Sequence, residues 1–340
     1  MPQNPPRGTH IAAAVEYHKV RMARYLVTGC AGFIGSSLTE ALVQRGETIR
    51  GLDNFETGRR ENLAAFRDRI EFLECDLRNA AAVSEACRDV DFVFHVAALP
   101  SVPRSVKDPR TSHTANIDGT FNLLEAARAA GVRRIVYSAS SSAYGNQPGF
   151  PRRETMVPMP IAPYPVQKLA GEFYMKSYWQ IYGLETVCLR YFNIFGPRQV
   201  PDSPYSGVMA KFTLQMMRGE RPAIFGDGEQ GRDFTYIDNA VSANLLAMAA
   251  PKENIAGRVF NIACGERHSI NKTFRILADL LDFREQPIYG PPRTGDIRDS
   301  LADITAAHEA FGYTPAVSFE EGLRRTVAWY QQHYTEVAAG

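Results

Sequence analysis

Cysteine is scarce in these 340 residues. The five present, Cys30, Cys75, Cys87, Cys188 and Cys264, are odd in number and scattered. They form no C-x-x-C pair and no metal-ligand spacing, so neither a disulfide framework nor a zinc site is expected. Such thiols are expected to stay reduced, in a cytoplasmic protein. No stretch approaches the ~18–20 uninterrupted apolar residues of a membrane span. The opening "MPQNPPRGTH" has no apolar core, and no secretory signal is expected from it. Neither sign of charge prevails: 38 Lys and Arg stand against 37 Asp and Glu, a net +1. That is too little for a global field that would gather nucleic acid or an anionic membrane. There is no internal repeat.

What is present is the composition of an ordinary soluble enzyme, 45% hydrophobic and 22% charged. The length suits two domains, or one large α/β domain with an annex. Residues 1–22 lack apolar periodicity and read as a leader, expected to be disordered. From residue 23 the pattern alternates. "ARYLVTG", "TIRGLD", "IEFLECDL", "DFVFHVAAL", "GVRRIVY" and "ETVCLRYFNIFG" read as strands. "FIGSSLTEALVQRG", "AAVSEACRD", residues 114–130 and "YPVQKLAGEFYMKSYWQIYG" read as helices. Alternation of this kind predicts an α/β fold with a parallel, doubly wound sheet of Rossmann type. After about residue 197 Pro and Gly become frequent, and helices are expected at 208–218, 239–249, 271–281 and 319–333. The division is thus 23–197 for the sheet domain and 198–340 for a smaller, interleaved substrate region.

"LVTGCAGFIGSSL" sets Gly29, Gly32 and Gly35 between the first strand and the first helix. Glycines there permit a tight turn and close backbone approach, and a pyrophosphate would rest on the helix N-terminus. Asp53 ends the second strand, where a carboxylate accepts hydrogen bonds from ribose hydroxyls and repels a 2′-phosphate. NAD is therefore expected rather than NADP, although Arg59 and Arg60 leave some room for the latter. Asp76 would reach the adenine side, or else cap a helix.

"YSASSSAYG", residues 137–145, ends a strand in a row of hydroxyls. The helix beyond it begins "PYPVQK", which puts Tyr164 and Lys168 four apart on one face. A neighbouring ammonium and a nicotinamide cation would lower a phenol from its usual pKa near 10 and make it a base. The serines would then supply hydroxyls between substrate and phenol.

With "TGCAGFIG", "LDNFETGRREN", "HVAA", "SSSAYG", "YPVQK", "LRYFNIFGPRQ", "FGDGEQGRDFTYIDN" and "GDIRDSLADITAA" in this order, residues 23–335 resemble the extended short-chain dehydrogenases/reductases, and among them the UDP-sugar 4-epimerases. The resemblance implies Ser140, Tyr164 and Lys168 as catalytic residues. It implies NAD contacts at Gly29, Gly32, Phe33, Ile34, Gly35, Asp53, Asn54, Asp76, Leu77, Ala97 and Tyr191, besides Tyr164 and Lys168. It assigns Ser141, Ser142, Asn193, Gln199, Gly207, Arg232, Arg293, Asp296 and Ser300 to the UDP-sugar. The implied reaction moves the C4 hydride to NAD and back, with Tyr164 and Ser140 handling the proton.

The serine row lacks the acid that related dehydratases and decarboxylases carry. Ser300 stands where glucose-restricted relatives have a bulky Tyr, which leaves room for a C2 acetamido group. Interconversion of UDP-GlcNAc and UDP-GalNAc is thus expected, with UDP-Glc and UDP-Gal alongside; Pro100 departs from the Gly of some acetamido-specific relatives. The alternatives are a UDP-glucuronate 4-epimerase, with Arg104 or Arg198 facing C5, and a non-catalytic NAD-sensing protein. The resemblance also implies a homodimer through helices 114–130 and 164–182. Phe121, Leu124, Phe173 and Trp179 would line that interface, or else the core.

Overall fold

The computed structural model describes residues 23–200, 207–292 and 298–334. Its centre is a seven-stranded parallel sheet. The strands are β1 (Arg24–Thr28), β2 (Thr48–Asp53), β3 (Glu71–Glu74), β4 (Phe92–His95), β5 (Arg134–Ser140), β6 (Glu185–Tyr191) and β7 (Arg258–Ile262), in the order β7-β6-β5-β4-β1-β2-β3. The helices between them are α1 (Phe33–Gln44), α2 (Ala80–Cys87), α3 (Val102–Lys107), α4 (Pro109–His113), α5 (Gly119–Ala129) and α6 (Pro163–Tyr182). Later come α7 (Val208–Met217), α8 (Ile237–Ala249), α9 (Lys252–Ile255), α10 (Ile270–Leu280), α11 (Thr305–Phe311) and α12 (Phe319–His333).

Strand residues alternate between the two faces. Leu26, Val93, Ile135 and Tyr137 join one apolar cluster, with Val83, Leu123 and Met175 from α2, α5 and α6. Val27, Phe94 and Val136 join the other, with Leu38, Ala243 and Ala307 from α1, α8 and α11. Both sets are apolar because helices cover both faces. A third cluster, around Phe195, Phe212, Phe274, Phe319 and Leu323, binds α7, α10 and α12 together. β7, which follows 60 residues after the texture changes at 197, returns to the sheet beside β6.

The differences from the sequence reading have local causes. β5 lies three residues later than expected and runs into the serines, since Ser138 is buried and its hydroxyl donates to the Tyr191 hydroxyl at 3.3 Å. The helix expected at 114–130 opens as a π-turn, Thr114–Asp118, before α5 begins. α3, α4, α9 and α11 are too short for periodicity to reveal. Asn79, not Asp76, caps α2, accepting from the Ala82 N–H at 3.2 Å. Leu124 is fully buried, and Trp179 packs on Gly257, so both belong to the fold; Phe121 and Phe173 are exposed. No helix among the described residues is long and apolar enough to cross a membrane. The leader, residues 1–22, lies outside the described residues.

Candidate active site

The strand order reverses at β1 and β4, which opens a crevice at their C-terminal ends. Thr28 and His95 end those two strands. The Thr28 hydroxyl meets His95 Nδ1 at 2.9 Å, and Nε2 meets the Thr120 hydroxyl of α5 at 2.9 Å. Burial, helped by the Lys168 charge, pushes His95 down to about 3, so the ring stays neutral. Above it the chain leaves β1 through Gly29, whose φ of +73° suits glycine. A Cβ there would lie 2.8 Å from the Ala97 Cα, and one on Gly35 would overlap the Gly29 carbonyl. The turn and the start of α1 therefore close into a cradle only glycine permits. No side chain caps α1, and no acid sits in its first turn. Its leading N–H groups and dipole suit an anion.

A cavity of about 660 Å³ extends from this cradle. All thirteen residues assigned to the cofactor line it: Gly29, Gly32, Phe33, Ile34, Gly35, Asp53, Asn54, Asp76, Leu77, Ala97, Tyr164, Lys168 and Tyr191. Asp53 is oriented by backbone donors, accepting from Ala31 N at 2.9 Å and Phe55 N at 2.8 Å. Burial raises its pKa against those N–H groups. Asp76 is held by the Arg78 guanidinium at 2.9 and 2.6 Å and by the Asn54 amide at 2.7 Å, which draws it down to about 2. Arg60 is engaged with Glu74 at 2.9 Å and lies over the Phe55 ring, whereas Arg59 lines the cavity. Ser138 and Ala139, at the start of the serine row, also line it, although neither was assigned to the cofactor.

α6 brings the phenol and the amine to the same cavity. Pro163 opens the helix, and the Tyr164 N–H donates to the Ser105 hydroxyl at 3.0 Å. The Ser140 and Ser142 hydroxyls are 2.8 Å apart, and the Ser142 N–H donates to Ser140 Oγ at 3.3 Å, closing the turn over Ser141–Tyr144. Lys168 Nζ donates to the Ser138 carbonyl at 2.9 Å. Burial lowers Lys168 to about 8, opposed by Glu172 one turn on, which is itself paired with Arg190 at 2.7 Å. The helical spacing predicts an ammonium that, with a nicotinamide cation, depresses the phenol. In the chain alone burial prevails and Tyr164 is pushed up to about 12, with only the Ser140 hydrogen bond opposing it. The ammonium, for its part, is hydrogen-bonded to the Ser138 carbonyl.

A second cavity, of about 360 Å³, is lined by Asn193 and Arg232, and it shares Gln199 and Gly207 with the first. Asn193 takes φ +39° and donates to the Asp233 carbonyl at 3.0 Å and to Ser300 Oγ at 3.4 Å. Arg232 donates to the carbonyls of Gly231 at 2.9 Å and Arg298 at 3.1 Å. The buried Asp233 carboxylate ties this end together by accepting from the N–H groups of Cys264, Gly265 and Ala302 at 2.9, 3.1 and 3.1 Å. Ser300 thus stands against Asn193, and Ser141 and Ser142 stay with Ser140 in their turn. Arg293 and Asp296 lie outside the described residues. Among the described residues no three His, Cys, Asp or Glu are grouped to hold a metal ion.

Comparison with known proteins agrees with this geometry. The model of the NAD dependent epimerase/dehydratase family matches residues 25–263. The chain belongs to that family. Family members with similar sequences differ in the sugar they are named for. A UDP-glucose 4-epimerase of Mycolicibacterium smegmatis is 38% identical over 91% of this chain and 98% of its own. A UDP-glucuronate 4-epimerase of Thermodesulfobacterium geofontis is 33% identical over 92% and 97%. The solved UDP-N-acetylglucosamine 4-epimerase of Methanobrevibacter ruminantium, in complex with UDP-N-acetylmuramic acid, superposes with a TM-score of 0.86 at 38% identity, covering 92% and 99%. NAD is the cofactor of the epimerase/dehydratase family, and this chain's residues fit it: a cradle that any Cβ would fill, an uncapped helix start, and Asp53 beyond.

Proposed function

We propose that this protein interconverts UDP-GlcNAc and UDP-GalNAc, and with them UDP-Glc and UDP-Gal, by inverting C4 through a transient 4-keto sugar. One observation carries the reading. The glycine cradle, Asp53 and the Tyr164–Lys168 pair line a single cavity, which adjoins a second one containing Arg232. When bound, NAD supplies the acceptor and donor of the C4 hydride. The chain's own part is acid–base and positional. Tyr164, as the phenolate that a bound nicotinamide cation would favour against burial, takes the proton of the C4 hydroxyl and later returns one to the same C4 oxygen, the sugar having turned its other face to the cofactor in between. Ser140 bridges that hydroxyl and the phenol. Lys168, anchored on the Ser138 carbonyl in the same cavity, would offer its charge to the bound complex. Asn193 and Arg232, with Arg293 and Asp296 assigned from the motif, hold the diphosphate and uridine, so that binding energy comes from a part of the substrate remote from C4.

A neutral sugar is favoured by the wall at which the cavities join. Gln199, Val200 and Gly207 carry no charge, and Arg198 beside them is drawn to Glu40 at 2.7 Å. Ser300 is small and rests on Asn193, which supports room for an acetamido group. A UDP-glucuronate 4-epimerase is the second reading, favoured by Arg104 in the lining of the first cavity. A homodimer is part of the proposal: Val166, Phe173 and Ile181 form an exposed apolar line along α6, beside Phe121 on α5.

The test is direct. The purified protein, without added cofactor, is incubated with UDP-GlcNAc, UDP-Glc and UDP-glucuronate in turn, and the anomeric protons are followed by NMR. Galacto-configured signals from the first two are expected. Turnover of UDP-glucuronate alone would establish the second reading. No conversion of any, even with NAD supplied, would overturn the epimerase reading.

A further inference from the structure

We infer that Arg198 is a positioning residue, which latches the wall shared by the two cavities onto α1, the helix that opens from the glycine cradle. The backbone leaves β6 through Gly196, with φ +149°, and Arg198, with φ +69°. A non-glycine residue in the left-handed region is strained and persists only where its surroundings impose it. Arg198 Nη2 meets Glu40 Oε2 of α1 at 2.7 Å, with the Arg198 side chain 17% exposed and that of Glu40 34%. Partial burial protects the pair from the screening that makes most surface pairs weak.

The next residue shows what the latch holds. The Gln199 N–H donates to the Gly196 carbonyl at 3.4 Å, its amide donates to the Ile194 carbonyl at 3.3 Å, and its own carbonyl accepts from the Tyr330 hydroxyl of α12. Its Oε1 is buried with no partner among the described residues, in a wall that faces both cavities. A buried, unpaired acceptor is costly unless something donates to it. Gln199 is thus held from three sides with an acceptor left over. Arg198, the residue before it, ties the same stretch of backbone to the cofactor helix. The guanidinium itself turns to Glu40 rather than to the cavity.

This inference rests on the reading of the cavities as NAD and UDP-sugar sites. R198A, E40Q and the exchanged pair E40R/R198E test it, read by KM and kcat for the UDP-sugar that the wild type turns over, UDP affinity by calorimetry, and NAD per chain by absorbance. R198A and E40Q are each expected to raise KM and the UDP Kd about fivefold, the weight of one partly buried pair. Turnover and NAD content should hardly change, and the exchanged pair should recover most of the loss. If R198A raises KM while E40Q behaves as wild type, Arg198 contacts substrate directly and the latch is wrong. Wild-type values in both single variants overturn it as well. Should R198A not fold, E40Q decides alone, an unchanged KM again overturning the latch. Wild-type protein that binds no UDP overturns the proposed function and the latch with it; wild-type binding with unresponsive variants overturns the latch only.

Discussion

At Tyr164 burial raises the phenol and the Ser140 hydroxyl pulls it back. Replacing Tyr164 by Phe removes the proton acceptor while keeping the ring, so turnover should fall by about 10²–10⁴-fold, the range for general acid–base catalysis, with UDP binding retained in calorimetry. Near-normal turnover would remove Tyr164 from the chemistry. Lys168 makes a separate prediction through pH. Its folded pKa, about 8, lies below the ordinary 10.5. Between those values the unfolded chain binds the proton and the folded one does not, so stability rises with pH across this window and is lost as pH falls through 8. Relative to Lys168→Met, the wild type should gain about 1–3 kcal/mol between pH 8 and 10.5, measured by urea unfolding of both proteins. A difference that stays flat would mean that Lys168 is not a buried, depressed amine. At Ser300 a Tyr would press on Asn193. Ser300→Tyr should lower kcat/KM for UDP-GlcNAc about tenfold or more relative to UDP-Glc; an unchanged ratio would show that Ser300 does not set the sugar.

At the scale of the element, α6 lies close to the sheet because Gly171 faces the Tyr137 hydroxyl of β5 with no space for a methyl group. Gly171→Ala should therefore cost about 1–3 kcal/mol by overpacking, despite the better helix propensity of alanine. Since Tyr164 and Lys168 ride on the same helix, kcat should fall with Tm. A variant as stable and active as the wild type would mean that the helix does not need this approach. β5 and α6 were legible in the sequence as elements, one by its apolar run and the other by its length and its closing Gly183. That the strand ends in serines was legible, but how far β5 runs into them was not, because the Ser138 hydroxyl finds its partner 53 residues away, at Tyr191. The paired anchors Ser105 and Tyr164 escaped for the same reason: 59 residues separate them.

For the whole molecule, the exposed line on α6 is the observation that bears on assembly. Phe173 is 62% exposed and Ile181 68%. Apolar side chains exposed along one helix face suit an interface, as the proposed dimer requires. Light scattering at micromolar concentration should give the mass of a dimer, and Phe173→Glu should give a monomer that keeps its NAD. A wild-type monomer would overturn the proposed dimer.

The sequence by itself determined the repeating βα pattern, the glycine cradle, Asp53 and the Tyr164–Lys168 pair. Each depends on local spacing: a period of two or 3.6, a turn that only glycine can make, two side chains one helical turn apart. Only the tertiary structure decided where those groups point. Lys168 turns to the Ser138 carbonyl, Arg198 turns to Glu40 instead of to a sugar, and Asp233 gathers three distant N–H groups under Arg232. Those choices follow from burial. Where water is excluded, each charge takes the nearest donor or acceptor that folding delivers, and that neighbour is seldom close in sequence.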